Sequence, residues 1–268
     1  MSSNGIRTDL NLDQHGRPEG PDLLLVHGLT DSGAGWAQAI DHWGGTYRIT
    51  TLDLRGHGES PRFTREEIEA HPGDLMVEDV SQVVEQLDRP VVLGHSLGGA
   101  VALAVGSRRP DLVRALVLED PAPRSPDELQ RDPERGRAYN EGLQAARDAQ
   151  DDEALLRLRQ ELHPDWPADE LLPTGRAEQQ TQEDYLLHGD WKPTTPWPDL
   201  VTDLRVPTLL LTGGNLDEVV VGTELEGRMR AAAPDSFVVR RLDGAGHCVR
   251  RDRPDLFYSV VDDWLASL

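Results

Sequence analysis

The sequence has few of the features that mark secreted or membrane-spanning proteins. It has one cysteine, Cys248, among 268 residues, which excludes a disulfide within the chain and suits a reducing compartment. No apolar run approaches the roughly 20 residues that cross a bilayer, and residues 1–7 lack the apolar stretch of a secretion signal. We therefore expect a cytoplasmic protein with one large core, or a core with an inserted subdomain.

Basic residues are also scarce, and lysine is nearly absent. The chain has 48 acidic and 27 basic residues, a formal net charge of -21, and Lys192 is its only lysine. A field of that sign repels nucleic acids and anionic membranes, so we expect neither as a partner. The composition fits a GC-rich genome or adaptation to high salt, and the sequence leaves this choice open. It also leaves open whether the protein is a monomer or a homodimer.

Short apolar segments alternate with helical patterns along most of the chain. Strand-like segments are found at residues 23–27, 47–52, 90–95, 113–118, 207–212 and 236–242. Helical periodicity or a high content of small residues marks residues 74–88, 97–108 and 254–268. Strands that alternate with helices are typical of an α/β protein with a mainly parallel sheet.

One long segment, residues 121–204, interrupts this alternation. It is charged, helical in pattern and free of strand signals, and it holds three of the six tryptophans, Trp166, Trp191 and Trp197. A structureless loop of this length is not expected in a compact domain. The sequence therefore predicts a helical cap, with residues 1–120 and 205–268 forming the core.

A serine lies between two glycines at the end of one predicted strand. Gly94-His-Ser96-Leu-Gly98 fits G-x-S-x-G, with an apolar strand before it and a helix rich in small residues after it. A sharp turn from strand to helix exposes the serine hydroxyl at its apex, and it requires small residues because the two arms nearly touch. An ordinary glycine turn is the alternative interpretation. The flanking elements favour Ser96 as a nucleophile.

A second glycine turn follows the first buried strand, at His27-Gly28-Leu29. We predict that the N–H groups of Leu29 and Leu97 form a two-donor oxyanion hole, since Leu97 lies at the positive end of the helix that follows Ser96. Alone, the His-Gly pair would be read as a turn. Its position relative to Ser96 favours the functional interpretation.

Serine is a weak nucleophile at neutral pH and needs a neighbouring base. Of the nine histidines, His247 follows a flexible loop after the last predicted strand, Leu242-Asp-Gly-Ala-Gly246. That position brings it to the same edge of the sheet as Ser96. We therefore predict that His247 is the general base. We expect Cys248, beside it, to be a small packing residue.

These motifs together resemble those of the α/β-hydrolase family over nearly the full length of the chain. The matching segments are His27-Gly28, Asp53-Leu-Arg-Gly-His-Gly-Glu-Ser60, Gly94-His-Ser-Leu-Gly-Gly99, Val206-Pro207 and Gly244-Ala-Gly-His247. The resemblance implies a mostly parallel eight-stranded sheet with helices on both faces and a helical cap, residues 121–204, between strands six and seven. Residues 5–15 would supply a short version of its N-terminal strand pair. The sequence shows no metal-ligand cluster, P-loop or dinucleotide fingerprint, so we expect no cofactor and no metal. Ser96 argues against the dehalogenases and epoxide hydrolases, whose nucleophile is an aspartate.

The acid that orients the histidine has two main candidates. Most family members carry it in a Gly-x-x-Asp turn after strand seven, where Asp217 fits if the count starts at Gly214 rather than Gly213. A minority, which includes haloalkane dehalogenases and zearalenone lactonases, carries it after strand six, about 24 residues past the nucleophile. Asp120 lies 24 residues after Ser96, and we favour it. The adjacent Glu119 is a more distant third candidate.

The resemblance and the constellation together predict a serine hydrolase that cleaves a carboxylic ester or a lactone through an acyl-enzyme on Ser96. The negative net charge and the apolar residues of the cap favour a neutral, largely apolar small molecule as the substrate. Two alternatives remain open. One is a carbon–carbon bond hydrolase that acts on dienoic ring-cleavage products, and the other is a ligand receptor on the same fold.

Overall fold

A computed structural model of the protein describes residues 6–128 and 132–268. Residues 1–5 of the predicted core and residues 129–131 of the predicted cap lie outside this description. In the part of the chain that the structure describes, no helix combines the length and the apolar character that a membrane span requires.

Seven strands form one sheet in the described ranges. They are β1 Leu12–Gly16, β2 Asp22–Val26, β3 Arg48–Leu52, β4 Val91–His95, β5 Ala115–Glu119, β6 Thr208–Gly213 and β7 Phe237–Leu242. Their spatial order is β1-β3-β2-β4-β5-β6-β7, and all neighbours are parallel except β1, which runs antiparallel to β3. The predicted mainly parallel sheet is confirmed.

The expected count of eight strands is wrong for the residues described, because the N-terminal pair is reduced to one strand. Only β1 joins the sheet in this part of the chain. Just before it, backbone N–H groups bond to side chains instead. Arg7 N–H donates to Gln86 Oε1 at 2.7 Å, and Asn11 N–H donates to Ser60 Oγ at 2.9 Å. These donors are the groups that a further strand would need for its ladder.

The central strands are buried on both faces of the sheet. Successive residues of β2 point to opposite sides, so Leu24 and Val26 pack into one hydrophobic core while Leu23 and Leu25 pack into the other. This explains why the segment has a continuous apolar run rather than an alternating pattern.

Thirteen α-helices surround the sheet in the described ranges. They are α1 Ala37–Trp43, α2 Arg65–Glu69, α3 Pro72–Val84, α4 Ser96–Arg108, α5 Pro133–Gly142, α6 Gln144–Asp148, α7 Asp152–Leu162, α8 Ala168–Gln180, α9 Glu183–His188, α10 Trp197–Val201, α11 Thr223–Ala232, α12 Val249–Asp252 and α13 Pro254–Ala266. A short 3-10 helix, Gly33–Trp36, precedes α1. The helix α4 is buried over most of its length, because its glycines and alanines allow it to lie close to the sheet.

Six of these helices, α5 to α10, lie between β5 and β6. These strands correspond to strands six and seven of the expected eight, since the described residues supply one N-terminal strand rather than two. We refer to residues 121–204 as the helical insert. Within it, α8 contacts the 3-10 helix and α1, α9 contacts α2, and α10 contacts α4. That the insert acts as a separate cap domain remains a prediction.

Candidate active site

Ser96 lies at the turn between β4 and α4. Its φ is +51°, in the left-handed region that residues other than glycine rarely occupy. A β-carbon on Gly94 would collide with the Gly98 carbonyl, and one on Gly98 would collide with the Val26 carbonyl. The structure therefore has the close approach of strand and helix that the motif requires. A strained backbone of this kind typically marks a functional position.

Two backbone N–H groups lie close to this serine. A β-carbon on Gly28 would lie 3.2 Å from Ser96 Cβ, so the backbone leading to Leu29 passes next to the nucleophile candidate. The Leu29 N–H makes no hydrogen bond within the described ranges. The Leu97 N–H belongs to the first turn of α4, where no acceptor within the helix is available. Both predicted oxyanion donors are thus at the edge of the same cavity as Ser96.

His247 lies in the loop after β7, and it faces the same cavity. Its Nδ1 is 2.6 Å from Asp120 Oδ2. Because a carboxylate only accepts, Nδ1 carries the proton in this pair, and Nε2 of the neutral ring is then the basic nitrogen. The loop thus presents the imidazole in the tautomer that a general base requires.

Asp120 is fully buried at the end of β5, with a φ of +35°. Three donors besides His247 reach its carboxylate. Val220 N–H donates to Oδ2 at 2.8 Å, Val221 N–H donates to Oδ1 at 3.0 Å, and the Thr212 hydroxyl donates to Oδ1 at 2.9 Å. Together with the His247 contact, these bonds give each oxygen of the buried carboxylate two partners and fix its orientation towards the imidazole.

The structure brings Asp120, and not Asp217, into contact with His247. Asp217 is exposed at the rim of the cavity, and within the described ranges it makes no hydrogen bond to the imidazole. The turn after β6 is bound to the loop before His247, with Asn215 N–H donating to Ala245 O at 2.9 Å. This arrangement directs the Val220 and Val221 N–H groups to Asp120 and leaves Asp217 at the surface.

Glu119, the third candidate, takes part in a different interaction. Its Oε1 accepts the Arg250 N–H at 2.6 Å, and burial raises the pKa of Glu119 to about 7 against the opposing attraction of Arg250. Its side chain therefore supports the segment after His247 rather than the imidazole.

Three further histidines lie in turns near the ends of the strands and bond to backbone groups. His27 Nε2 accepts the Leu54 N–H at 2.9 Å, and His57 Nδ1 donates to Arg55 O at 3.0 Å. His95 lies beside His247, with 4.8 Å between ring centroids and an angle of 44° between the rings, and its Nε2 lies 3.2 Å from the His247 carbonyl oxygen. Burial, together with His247, holds the pKa of His95 well below its usual range, so its ring is neutral. Among the described residues, no cluster of His, Cys, Asp and Glu could hold a metal ion.

A cavity of about 360 Å³ lies between the core and the helical insert. This volume is large enough for a small organic molecule. Its lining comprises Leu29, Ser96, Leu97, Ala122, Arg135, Tyr139, Trp191, Lys192, Asp217, Glu218, Val219, Val220 and His247. A larger cavity of about 610 Å³ lies beside β1, and its lining includes neither Ser96 nor His247. The smaller cavity is therefore the candidate active site.

Two buried arginines anchor the loop that carries His247. Arg250 and Arg251 lie in α12, and their side chains are almost fully buried. Glu170, from α8 of the insert, accepts hydrogen bonds from Arg250 Nη1 and, at 2.6 Å, from Arg251 Nε. Arg251 also donates to Asp31 Oδ2 at 2.7 Å, in the loop that follows Leu29. Buried ion pairs thus join the insert to both loops that border the cavity.

We expect Glu170→Gln to lower the free energy of unfolding by about 3 kcal/mol, because it leaves two buried guanidinium groups with one fewer anion. Urea denaturation followed by tryptophan fluorescence measures this change. Glu153→Gln is the matched control, since Glu153 pairs with Arg157 on the exposed side of the same insert. The control should unfold at the wild-type urea concentration. An unchanged midpoint for Glu170→Gln would show that the buried pairs do not anchor the insert.

Sequence reasoning identified the core residues of the site but missed those of the insert. Arg135, Tyr139 and Lys192 were not predicted to line the cavity, and the Glu170 anchor was not foreseen. Two signals were present, namely the single lysine and the Arg250-Arg251 pair just after His247. Neither signal has a fixed spacing from the motifs, because the helices of the insert pack in a way that the core does not determine.

Comparisons with known proteins identify the family of this chain. Residues 23–260 match the family model described as "Alpha/beta hydrolase family". A lipase of Mycobacterium tuberculosis, LipV, is 41% identical over 116 residues, and the match covers 42% of each chain. A protein of Haemophilus influenzae named for esterase or lipase activity is 25% identical over 256 residues, 91% of this chain and 83% of that protein. For three of the curated relatives, including LipV, the match covers less than half of the relative's length.

Solved structures share the fold of this chain. The solved structure of E-2-(acetamidomethylene)succinate hydrolase superposes with a TM-score of 0.78 at 19% identity, covering 97% of this chain and 98% of the other. At that identity the likeness concerns the fold alone. The family model, however, spans most of the chain and contains both the serine turn and the histidine loop. The chain therefore belongs to the alpha/beta hydrolase family.

Proposed function

We propose that the protein is a serine hydrolase that cleaves a carboxylic ester or a lactone through an acyl-enzyme on Ser96. The observation that carries this proposal is the 2.6 Å hydrogen bond between His247 Nδ1 and Asp120 Oδ2, at the cavity that Ser96 also lines. Relatives named as a lipase and as an esterase or lipase support ester hydrolysis as the reaction class.

The mechanism follows from the arrangement of these groups. His247 Nε2 takes the hydroxyl proton as Ser96 Oγ bonds to the carbonyl carbon, and the carbonyl oxygen becomes an oxyanion that accepts from the Leu29 and Leu97 N–H groups. The tetrahedral intermediate then breaks its bond to the alcohol oxygen, which takes the proton from the imidazolium. His247 Nε2 then takes a proton from water as the water oxygen bonds to the carbonyl carbon of the acyl-enzyme. The bond to Ser96 Oγ breaks, Oγ takes the proton back from the imidazolium, and the acid is released. Asp120 remains ionised throughout and stabilises the imidazolium.

The helical insert forms part of the wall of the cavity, as expected of a cap in this reaction. It contributes Tyr139 and Trp191 to the cavity that the core bounds with Leu29, Leu97 and Val220. Apolar walls on both sides favour an apolar acyl or alcohol group near the reacting carbonyl. We therefore propose that the insert selects the substrate and that the core performs the chemistry.

Labelling with a fluorophosphonate and turnover of p-nitrophenyl butyrate test this function. We expect the wild-type protein to be labelled stoichiometrically and to release p-nitrophenol with an initial burst or steady turnover. A labelled protein that turns over dienoic ring-cleavage products and no ester would instead be a carbon–carbon bond hydrolase. A protein that resists labelling would be a ligand receptor on this fold.

A further inference from the structure

Two cations from the helical insert line the cavity that contains Ser96. Arg135, on α5, and Lys192, in the segment before α10, are both part of its wall. Their side chains are only 28% and 17% exposed. Side chains with these charges are rarely buried to this extent without a partner, because removing them from water is costly. Their presence beside a nucleophile candidate therefore requires an explanation.

Both cations share one carboxylate. Glu128 Oε1 accepts from Arg135 Nη1 at 2.7 Å, and both its oxygens lie 2.8–2.9 Å from Lys192 Nζ. Burial lowers the pKa of Lys192, and the hydrogen bond and the charge of the adjacent Glu128 oppose that effect. A second carboxylate, Asp132, lies farther from the cluster, with its Oδ2 4.0 Å from Arg135 Nε and its side chain 34% exposed. Among the described residues, Glu128 is therefore the one carboxylate that accepts hydrogen bonds from either cationic side chain.

Several donors of the cluster are not used by the protein. Within the described ranges, the Arg135 side chain donates hydrogen bonds through Nη1 alone, and its Nη2 bonds to no protein acceptor. Its Nε is buried without a hydrogen-bond partner, 4.0 Å from Asp132 Oδ2. The Lys192 ammonium has three N–H groups, and within the described ranges its contacts with acceptors are all with the Glu128 carboxylate. The unused donors are of the types that pair with carboxylates.

The guanidinium is held in place by an aromatic platform. Arg135 lies over the Trp191 ring, 5.3 Å from its centroid, and Tyr139 packs edge-on against the same ring at 4.8 Å. The indole is fixed in turn, because its N–H donates to the carbonyls of Tyr185 and Leu186 at 3.2 Å. A cation fixed before the substrate arrives loses little conformational entropy on binding.

We propose that Arg135 and Lys192 bind a free carboxylate of the substrate, so that the enzyme favours esters that also carry an acid group, such as monoesters of short dicarboxylic acids. This inference rests on the proposed ester hydrolysis at Ser96. It replaces the expectation of a neutral substrate with a substrate that has an apolar centre and one anionic end.

The large negative charge of the protein does not prevent such binding. At physiological salt, charges in water that lie more than about 8 Å apart are largely screened, so most surface carboxylates act weakly on a bound ligand. Asp217 and Glu218 at the rim are closer, but both are exposed to solvent. Arg135 and Lys192 are mostly buried, where the local dielectric is lower and their contacts are stronger.

The test compares monoethyl and diethyl esters of succinate, glutarate and adipate, with product measured by chromatography. For at least one chain length, we expect the wild-type enzyme to prefer the monoester over the diester about tenfold or more in kcat/KM. Lys192→Met should lower that ratio about tenfold, as expected for the loss of one charged hydrogen bond. Glu128→Gln should raise it several-fold, because it frees both cations for the ligand.

Two controls separate binding of the carboxylate from a structural role. Arg157→Gln makes the same change of charge as Lys192→Met at an exposed site on α7, and its ratio should equal that of the wild type. If the cluster only stabilises the insert, Lys192→Met and Glu128→Gln would reduce the rates on both esters together, and the ratio would not change. That result would overturn the inference.

The same samples distinguish this inference from the proposed function. A protein that is labelled by fluorophosphonate and cleaves p-nitrophenyl butyrate, yet prefers the diesters at all three chain lengths, retains the function and refutes the carboxylate site. A protein that is neither labelled nor active on any ester refutes both. Calorimetric titration of Ser96→Ala with monoethyl adipate adds a readout without turnover, in which Lys192→Met on that background should weaken binding about tenfold.

Discussion

Ser96→Ala should reduce kcat for ester hydrolysis by about a million-fold, which is the order found when a catalytic serine is removed from a comparable triad. The alanine has no oxygen with which to form the acyl-enzyme. The remaining activity would come from the oxyanion donors and from binding alone. Initial rates with p-nitrophenyl butyrate, on protein freed of wild-type contamination, measure this loss.

The same variant should fold like the wild type. Within the described residues, the Ser96 hydroxyl makes no hydrogen bond, and alanine also has a β-carbon at the φ of +51°. The midpoint of urea denaturation should therefore be unchanged.

Cys248→Ala is the matched control for a second nucleophile in the same loop as His247. Burial raises the pKa of Cys248 to about 12, so its thiol stays protonated and its loss should leave kcat unchanged. Retention of most activity by Ser96→Ala would refute the acyl-enzyme.

The sequence was sufficient to predict the serine turn because its constraints are local. Gly94 and Gly98 must be small for the arms to meet, and the buried strand and helix on either side are evident from their own residues. Short apolar segments likewise predicted six of the seven strands, since burial on both faces leaves a continuous apolar run. The first strand was less visible, because β1 is a polar edge strand with a mostly exposed surface.

Residues that meet through tertiary packing could not be predicted in this way. Glu170 contacts Arg250 and Arg251 across about 80 residues of sequence, and Lys192 meets Glu128 across 64. No period or spacing links such positions, because they depend on how the helices of the insert pack on the core. The choice between Asp120 and Asp217 was open for a related reason. Parallel strands end at one edge of the sheet, so β5 and β6 both deliver an aspartate to the neighbourhood of His247.

The acid of the proposed triad is the subject of the second prediction with a large expected effect. We expect Asp120→Asn to reduce kcat by about 10⁴, the loss that typically follows from the wrong imidazole tautomer. Asp120 accepts four hydrogen bonds, two at each oxygen. The amide of asparagine can accept hydrogen bonds through its single oxygen only, because its NH₂ group donates. If its oxygen takes the Val221 and Thr212 donors, its NH₂ group faces His247 Nδ1, which must then lose its proton and accept. The proton moves to Nε2, and the imidazole can no longer act as a base.

Asp217→Asn should lose less than tenfold, because Asp217 is exposed at the rim and does not contact the imidazole. Both variants need assays across several pH values, since an exposed carboxylate near a histidine can shift the apparent pKa of the reaction without being its partner. For Asp217→Asn we therefore expect a small displacement of the pH profile with nearly full activity at its plateau. For Asp120→Asn we expect the plateau itself to fall, because a change of tautomer is not reversed by pH. A crippled Asp217→Asn beside an active Asp120→Asn would show that the acid after β6 serves His247 during turnover.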